Sequence, residues 1–348
     1  MDLKNKKILI EGIGGIGGII ASRLLAVGYD CTLITGNKEI TSQIQSSGII
    51  EHLENDKQKI VFPQNVYTTL SELDETMKFD FALLAMKAES VVEAAKSTIP
   101  YLFSHGFVVT LQNGIVEDLI VKEIDDGRLI SAVMAFGATM IQLGQYKQTS
   151  PGSIFIGELH GELSTRLTQL GEILHEVLPV SLSENINGVL WNKLAINATA
   201  KALGAISGQT WGEMLDTKPK RTLFLKIYAE VVNASKANNV KLEKITVNPL
   251  LLYLPVNAGF FTRFKKDIFL RMAARKYKDI KSSSLQSLLR GRKTEIDYLN
   301  GFVISESEKH GLKAPFNKIL LEMVKEIENG KREIDPKNID EIIQKLVV

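Results

Sequence analysis

The chain has 348 residues, enough for two domains at roughly 100 to 200 residues each. Hydrophobic residues make up 45% of it and charged residues 24%, a composition typical of a folded globular protein and not of a disordered one. The formal net charge is only +2, so neither nucleic acid nor a membrane is expected as a partner. Cys31 is the only cysteine, which excludes an intrachain disulfide and a cysteine-based metal cluster. No metal site is expected.

The chain enters a strand-like run at once, without a preceding apolar stretch of the signal-peptide type. No later run reaches the roughly 18 apolar residues of a membrane span. We therefore expect a cytoplasmic protein.

The first elements form a βαβ unit: a strand at 7–10, a glycine-rich turn, a helix at 19–27 and a strand at 30–34. Further apolar runs predict strands at 60–62, 79–85, 107–111 and 129–134, with helices at 89–98 and 115–124. Such alternation indicates a mostly parallel sheet covered on both faces. The runs 136–141 and 153–156, joined by a polar turn region, predict an antiparallel addition to its edge.

The glycine-rich turn contains the motif G-x-G-x-x-G in Gly12, Gly14 and Gly17. These glycines permit, in order, the tight turn, the close approach of a pyrophosphate, and the packing of helix on strand. Backbone N–H groups at the helix start then face the phosphates. A glycine-rich turn alone is a weak signal, but its strand–turn–helix context favours dinucleotide binding. We expect Ile13, Gly15 and Ile16 to belong to the same cofactor loop.

From about residue 184 onward the strand pattern fades and long helical periodicities follow. We therefore predict an α/β fold in which a Rossmann-type doubly wound sheet is followed by an all-helical C-terminal domain. The dinucleotide-binding domain is assigned to 1–183 and the helical substrate and catalytic domain to 184–348.

The end of the second strand indicates which nicotinamide cofactor is bound, because an acid there would repel a 2′-phosphate. Here the stretch from Thr35 reads Thr-Gly-Asn-Lys, with no acid before Glu39. We expect Asn37 and Lys38 to contact the cofactor and NADP(H) to be preferred over NAD(H). Lys38 as an ordinary surface lysine remains the alternative.

Several motifs together resemble the ketopantoate reductase family over nearly the whole chain. Members of that family have two domains and use NADPH to reduce 2-dehydropantoate to (R)-pantoate in pantothenate biosynthesis. The resemblance rests on GIGGIG at 12–17, MKAES at 86–90, QNG at 112–114, WNKLAIN at 191–197, SSLQSLLRGRKTEIDYLNGF at 283–302 and HGLKAPFN at 310–317.

The resemblance implies catalytic roles for Lys193, as the proton donor, and for Glu295, as a carboxylate beside the lysine, the cofactor and the substrate. Ser284 stands where the family holds the substrate carboxylate. Asn113 is implied near the nicotinamide ribose and the substrate, and Lys87 beside the cofactor. Taken without the family, Asn113 is also compatible with a plain Asn-Gly turn and Lys87 with a surface position.

Lys193, Asn197 and Lys201 are spaced i, i+4 and i+8, which predicts one polar stripe on a helix. Periodicity alone favours a solvated helix flank, whereas the matched motif favours a substrate pocket. The family usually continues with Asn-Pro-Leu-Thr-Ala, so Lys201 replaces an amide. A cation there favours a substrate with an additional anionic group. Gly36 stands where the family often has an arginine, which weakens the expected NADP(H) preference.

The segment 294–297 also resembles a helix N-cap with an acid at the third helical position. Glu295 is then equally explained as an acid that compensates the helix dipole. On one straight helix, Ser284 and Glu295 would lie about 16 Å apart, too far for one small acid. We therefore predict that the helix breaks near Gly291.

Three functions stay open: a 2-dehydropantoate reductase, a reductase of another 2-oxo acid, and a non-catalytic NADP(H)-binding sensor. The substrate is in each enzymatic case a small 2-oxo acid.

The segment 263–281 carries eight Lys or Arg against two Asp and is interpreted as a solvated helix face, with an anion-steering patch as the alternative. An apolar face of the helical domain would allow a homodimer, which the sequence does not decide.

Overall fold

The computed structural model describes residues 3–245, 248–255 and 257–345. These residues contain the following strands: β1 Lys7–Glu11, β2 Asp30–Ile34, β3 Ile49–His52, β4 Gln58–Val61, β5 Asn65–Tyr67, β6 Phe79–Leu84, β7 Leu102–Thr110, β8 Leu129–Met134, β9 Gly137–Gln142, β10 Gln145–Ser150, β11 Ile154–Glu158 and β12 Val180–Leu182. They also contain the following helices: α1 Gly15–Ala26, α2 Lys38–Ser47, α3 Ala88–Thr98, α4 Glu117–Ile120, α5 Thr165–His175, α6 Ile186–Ser207, α7 Trp211–Met214, α8 Lys218–Ala237, α9 Phe260–Lys276, α10 Ser283–Leu289, α11 Phe302–Lys309, α12 Pro315–Glu328 and α13 Lys337–Gln344.

Two compact units make up the structure. The first contains the described residues up to Gln112 together with Val116–Ile186. The second contains Asn113–Ile115 together with the described residues from Asn187 onward. Among the described residues, no helix combines the length and the apolarity that a membrane crossing requires.

The first unit is built on an eight-stranded sheet with the order β12-β11-β8-β7-β6-β1-β2-β5. All neighbouring strands are parallel except β11, which runs antiparallel to β8. The central strand β1 buries Ile8, Leu9 and Ile10 completely, as expected of a parallel strand covered on both faces. An α/β sheet domain followed by a helical C-terminal region, α6 to α13, confirms the predicted fold class.

A second, four-stranded sheet with the order β4-β3-β10-β9 was not predicted. The strand predicted at 60–62 for the parallel sheet belongs to this second sheet, where β4 pairs antiparallel with β3. The segment 136–141 was assigned to the edge of the main sheet, but its strand β9 pairs antiparallel with β10 in the second sheet. Only β11 joins the main sheet as expected. The polar segment that looked like a turn region is itself a strand, because its one large apolar side chain, Tyr146, is fully buried.

The helix predicted at 115–124 is much shorter, since α4 covers only Glu117–Ile120. Glu117 is buried and points inward, where its carboxylate accepts hydrogen bonds from the hydroxyls of Thr110 and Ser131 at 2.7 and 2.8 Å. After α4 the chain continues in turns as far as Asp125, whose carboxylate accepts a hydrogen bond from the N–H of Gly127.

The second unit is helical, and α8 packs against α11, α12 and α13. The predicted break near Gly291 is confirmed: α10 ends at Leu289, and Gly291 has a φ of +65°. A π-helical segment, Asp297–Gly301, then leads into α11. Such segments are rare and often mark functional sites.

Candidate active site

The glycine turn between β1 and α1 requires glycine at two positions. Gly12 has a φ of +91°, and a Cβ there would lie 2.6 Å from the backbone nitrogen of Met86. A Cβ on Gly17 would lie 2.1 Å from the carbonyl oxygen of Gly12. Both contacts are far shorter than van der Waals distances, so the turn and its packing against β6 depend on these two glycines.

The N-terminus of α1 has the features of a phosphate site. Its N-cap residue is Gly14, which provides no side-chain cap for the first N–H groups of the helix. A Cβ built on Gly14 would have no atom within 4 Å among the described residues. Free N–H groups at the positive end of a helix bind phosphate, so this turn fits the pyrophosphate of a dinucleotide.

Tyr146 supports the turn and was missed by the sequence analysis. Its hydroxyl donates a 2.9 Å hydrogen bond to the carbonyl oxygen of Ile13. Its ring lies against Gly18, where a Cβ would approach within 2.2 Å. The second sheet therefore fixes the conformation of the glycine turn. In the sequence, one tyrosine within a polar segment was the only sign of this contact.

The other predicted cofactor residues of the first unit lie at strand ends. Asn37 is the N-cap of α2, and its side-chain oxygen accepts from the N–H of Ile40 at 3.0 Å. Lys38 is exposed in the first turn of α2. Gly36 before them has a φ of +71°, a conformation that an arginine would adopt only with strain. Lys87 is exposed at the N-cap of α3.

In the second unit, α6 holds Lys193, Asn197 and Lys201. Asn197 is only 9% exposed and the two lysines are half-buried. Nearly every other residue of the helix is buried, because its sequence is rich in Ala and Leu and its small side chains allow close packing on all faces. A solvated helix flank therefore does not describe this segment.

Asn113 belongs to the second unit, although it follows the strand β7 in sequence. Its amide nitrogen donates to the Glu295 carboxylate at 3.3 Å. The amide nitrogen of Asn197 in turn donates to the side-chain oxygen of Asn113 at 3.4 Å. These three side chains form a hydrogen-bonded row that positions the carboxylate.

The charges of Lys193, Lys201 and Glu295 interact in the second unit. Burial lowers the pKa of the Lys193 ammonium to about 7; the positive charge of Lys201 adds to this effect and the Glu295 carboxylate opposes it. Burial also lowers the pKa of Lys201, again against the influence of Glu295. A lysine whose pKa lies near neutral pH can both donate and accept a proton under ordinary conditions.

Only the threonine half of the predicted helix cap around Glu295 is present. The hydroxyl of Thr294 accepts from the N–H of Ile296 at 3.2 Å and donates to the carboxylate of Glu328 at 2.7 Å. Asp297 does not return to Thr294, because its carboxylate forms an ion pair with Lys325. Glu328 and Lys325 of α12 therefore anchor the segment that carries Glu295, a contact between distant residues that no local pattern encodes.

Asn300 connects the π-helical segment to α6. Its amide nitrogen donates to the carbonyl oxygen of Ala198 and to the side-chain oxygen of Asn317, each at 2.9 Å. Glu230 of α8 accepts from the side-chain nitrogen of Asn317 at 2.7 Å. This buried network holds the Glu295 segment against the helix of Lys193, and no local sequence pattern indicates its members.

Ser284 lies in the first turn of α10 and is 7% exposed. The hydroxyl of its neighbour Ser282 donates to the carbonyl oxygen of Lys201 at 3.3 Å. The start of α10 therefore lies against the Lys201 part of α6. The substrate role of Ser284 stays a prediction.

The basic segment 263–281 lies outside this group of side chains. Most of α9 is exposed, while Leu270 is buried and Asp267 pairs with Arg221 of α8 at 2.6 Å. A cavity of about 610 Å³ between these helices is lined by residues that include Arg221 and Arg271. A solvated helix face describes only the basic side chains of this segment, because the large apolar side chains of Phe264, Ile268 and Met272 are exposed as well.

Two protein-family models match parts of this chain. Residues 8–161 match the family model described as ketopantoate reductase PanE/ApbA. Residues 185–328 match the model described as the C-terminal part of ketopantoate reductase PanE/ApbA. A 2-dehydropantoate 2-reductase of Pyrococcus horikoshii is 26% identical over 320 residues, which cover 92% of this chain and 96% of that protein.

Solved structures show the same fold. A structure of D-mandelate dehydrogenase with NADH and anilino(oxo)acetate has a TM-score of 0.80 at 22% identity, covering 93% of this chain and 99% of that one. A PanE/ApbA family ketopantoate reductase from Ralstonia eutropha has a TM-score of 0.78 at 23% identity, with the same coverage. Since the two family models together span most of the sequence, the chain belongs to the ketopantoate reductase PanE/ApbA family.

Proposed function

We propose that this protein reduces a 2-oxo acid to the 2-hydroxy acid with NADPH, and that Lys193 donates the proton. The observation that carries the proposal is the electrostatic interaction between a half-buried lysine, with a pKa near 7, and a carboxylate that two asparagines position. The reductases among its relatives make 2-dehydropantoate the reference substrate. The structure of D-mandelate dehydrogenase with anilino(oxo)acetate supports a wider choice of 2-oxo acids.

We further propose that residues 1–183 bind the dinucleotide and that residues 184–348 hold the substrate and the catalytic groups. The glycine turn of 12–17 would bind the pyrophosphate, with Asn37, Lys38 and Lys87 beside it. Asn113 and Glu295 would contact the nicotinamide part. When bound, the reduced nicotinamide supplies the hydride that adds to the carbonyl carbon.

The protein's own residues then manage the charge on the carbonyl oxygen. The Lys193 ammonium donates a hydrogen bond to this oxygen and transfers its proton as negative charge develops there. Glu295 stabilises the ammonium form before transfer, because it raises the pKa that burial and Lys201 lower. Asn113 and Asn197 keep the carboxylate in place, and Asn197 and Ser284 are the proposed further substrate contacts.

The pH dependence follows from the lowered pKa of Lys193. Reduction needs the protonated lysine, so kcat for reduction should be constant below about pH 7 and fall as the pH rises above the pKa. Oxidation of the 2-hydroxy acid needs the neutral lysine and should show the opposite trend. Single-turnover rates in both directions between pH 5.5 and 9 are the measurement. A reduction rate that stays constant to pH 9 would contradict a proton-donating Lys193 with this pKa.

Lys38 is the proposed contact to the 2′-phosphate that distinguishes NADPH from NADH. Lys38→Met should raise the KM for NADPH by roughly 2- to 5-fold, the value of an exposed ion pair, and leave the KM for NADH unchanged. Lys57→Met, at another exposed lysine of the same unit, is the matched control. Equal effects of Lys38→Met on both cofactors would remove Lys38 from 2′-phosphate recognition.

A substrate panel tests the proposed function. Oxidation of NADPH, followed at its absorbance band, should be rapid with at least one 2-oxo acid from a set that includes 2-dehydropantoate and phenylglyoxylate. A non-catalytic NADP(H) sensor is the competing function, and it predicts cofactor binding without turnover on any member. The Lys193–Glu295 arrangement favours the reductase, since a sensor needs no proton donor.

A further inference from the structure

Lys201 is a second half-buried cation in the candidate active site. Neither a hydrogen bond nor an ion pair shorter than 4.0 Å engages its ammonium group within the described residues. The Glu295 carboxylate interacts with it only at longer range. A desolvated cation is costly unless an anion compensates it, so this position favours an anionic ligand group.

The spacing along α6 separates this cation from Lys193. Eight residues correspond to about 12 Å along a helix. Long side chains on a helix lean in the same direction, so Lys201 extends from a part of α6 about two turns away from Lys193. The carboxylate of a 2-oxo acid is bonded directly to its ketone carbon. If Lys193 holds the ketone oxygen, Lys201 reaches a more distant part of the substrate.

The start of α10 adds a hydroxyl group to this end of the site. The hydroxyl of Ser282 lies 3.3 Å from the carbonyl oxygen of Lys201, and a Cβ on Gly204 would lie 2.8 Å from the same hydroxyl. This close packing places the first turn of α10 beside the Lys201 part of α6. An ammonium group next to a serine-bearing turn is suited to a carboxylate.

We propose that Lys201 binds a second anionic group of the substrate, at the end away from the ketone, so that the preferred substrates are 2-oxo dicarboxylates of five or six carbons. In these acids the ketone oxygen and the far carboxylate are separated by roughly 5–6 Å, from bond lengths of about 1.5 Å.

This inference rests on the proposed function and leaves its chemistry unchanged. The hydride adds to the carbonyl carbon, the proton from Lys193 goes to the carbonyl oxygen, and the far carboxylate takes no part in bond changes. Lys201 therefore determines specificity, while Lys193 remains the proton donor.

The test compares two substrates of nearly equal shape. 2-Oxoglutarate carries a far carboxylate, and 5-methyl-2-oxohexanoate carries an isopropyl group in its place. The wild-type protein should prefer 2-oxoglutarate in kcat/KM. Lys201→Met should reduce this preference by roughly 10- to 100-fold, the value of one charge-assisted hydrogen bond. Lys201→Arg, which retains the charge, should preserve most of the preference.

Turnover of 5-methyl-2-oxohexanoate by Lys201→Met shows that the variant is folded, and Lys318→Met at an exposed lysine of α12 is the matched control. Loss of the preference in Lys201→Met but not in Lys318→Met supports the proposal. A wild-type preference for the uncharged acid or for 2-dehydropantoate, or a preference that Lys201→Met leaves unchanged, overturns it while the reductase function stands. Absence of turnover on every 2-oxo acid overturns both.

Discussion

Lys193→Ala is expected to lower kcat for 2-oxo acid reduction by roughly 10²- to 10⁴-fold, the usual contribution of a positioned general acid. The dissociation constant for NADPH should change by less than about twofold, because the lysine is assigned to the transition state and not to cofactor binding. Stopped-flow measurement of kcat and fluorescence titration of NADPH separate the two quantities.

Two further variants distinguish proton donation from simple attraction. Lys193→Arg keeps a positive charge, but a guanidinium does not release its proton near neutral pH, so this variant should stay nearly as inactive as Lys193→Ala. Lys318→Met should retain wild-type kcat. Full activity of Lys193→Arg would mean that charge alone is needed, and a large loss of NADPH affinity in Lys193→Ala would remove the lysine from its assigned role.

Gly14→Asp is expected to raise the dissociation constant for NADPH by roughly 100-fold, since like charges brought together cost several kcal/mol. The added carboxylate would face the phosphates at the N-terminus of α1. The fold should tolerate it, because a Cβ at this position meets no atom within 4 Å among the described residues. Isothermal titration with NADPH and thermal unfolding monitored by circular dichroism are the measurements.

Gly14→Ala is the matched control, as it adds the Cβ without the charge, and its effect on NADPH affinity should be clearly smaller than that of Gly14→Asp. Gly17→Ala provides the opposite case, because its Cβ would lie 2.1 Å from the carbonyl oxygen of Gly12 and should destabilise the unit itself. Unchanged NADPH binding in a folded Gly14→Asp protein would place the pyrophosphate elsewhere.

Local sequence patterns predicted the buried strands of the main sheet, because these are continuous apolar runs and the turn from β1 to α1 carries its own glycine signature. They missed its short edge strands β5 and β12. They failed for the second sheet. Its strand β10 is polar apart from Tyr146, which contacts the glycine turn more than a hundred residues away. A strand whose burial depends on one such long-range contact has no local periodicity to reveal it.

The candidate site shows the same limit. Helical spacing alone favoured a solvated flank for Lys193 and Lys201, and only the resemblance to a family indicated a pocket. The hydrogen bond from Asn113 to Glu295 joins residues 182 positions apart. The support from Asn300, Asn317 and Glu328 comes from other helices as well. A group of this kind depends on tertiary packing, which short-range sequence patterns do not describe.

Transfer of deuterium tests the central claim, that this protein moves a hydride from NADPH to the carbonyl carbon of a 2-oxo acid. The protein is incubated with NADPH deuterated at the transferring position of the nicotinamide ring and with the best acceptor from the panel. Mass spectrometry and NMR of the product should show a 2-hydroxy acid with one deuterium at carbon 2. A product without deuterium, or cofactor binding without any 2-hydroxy acid, would contradict the account.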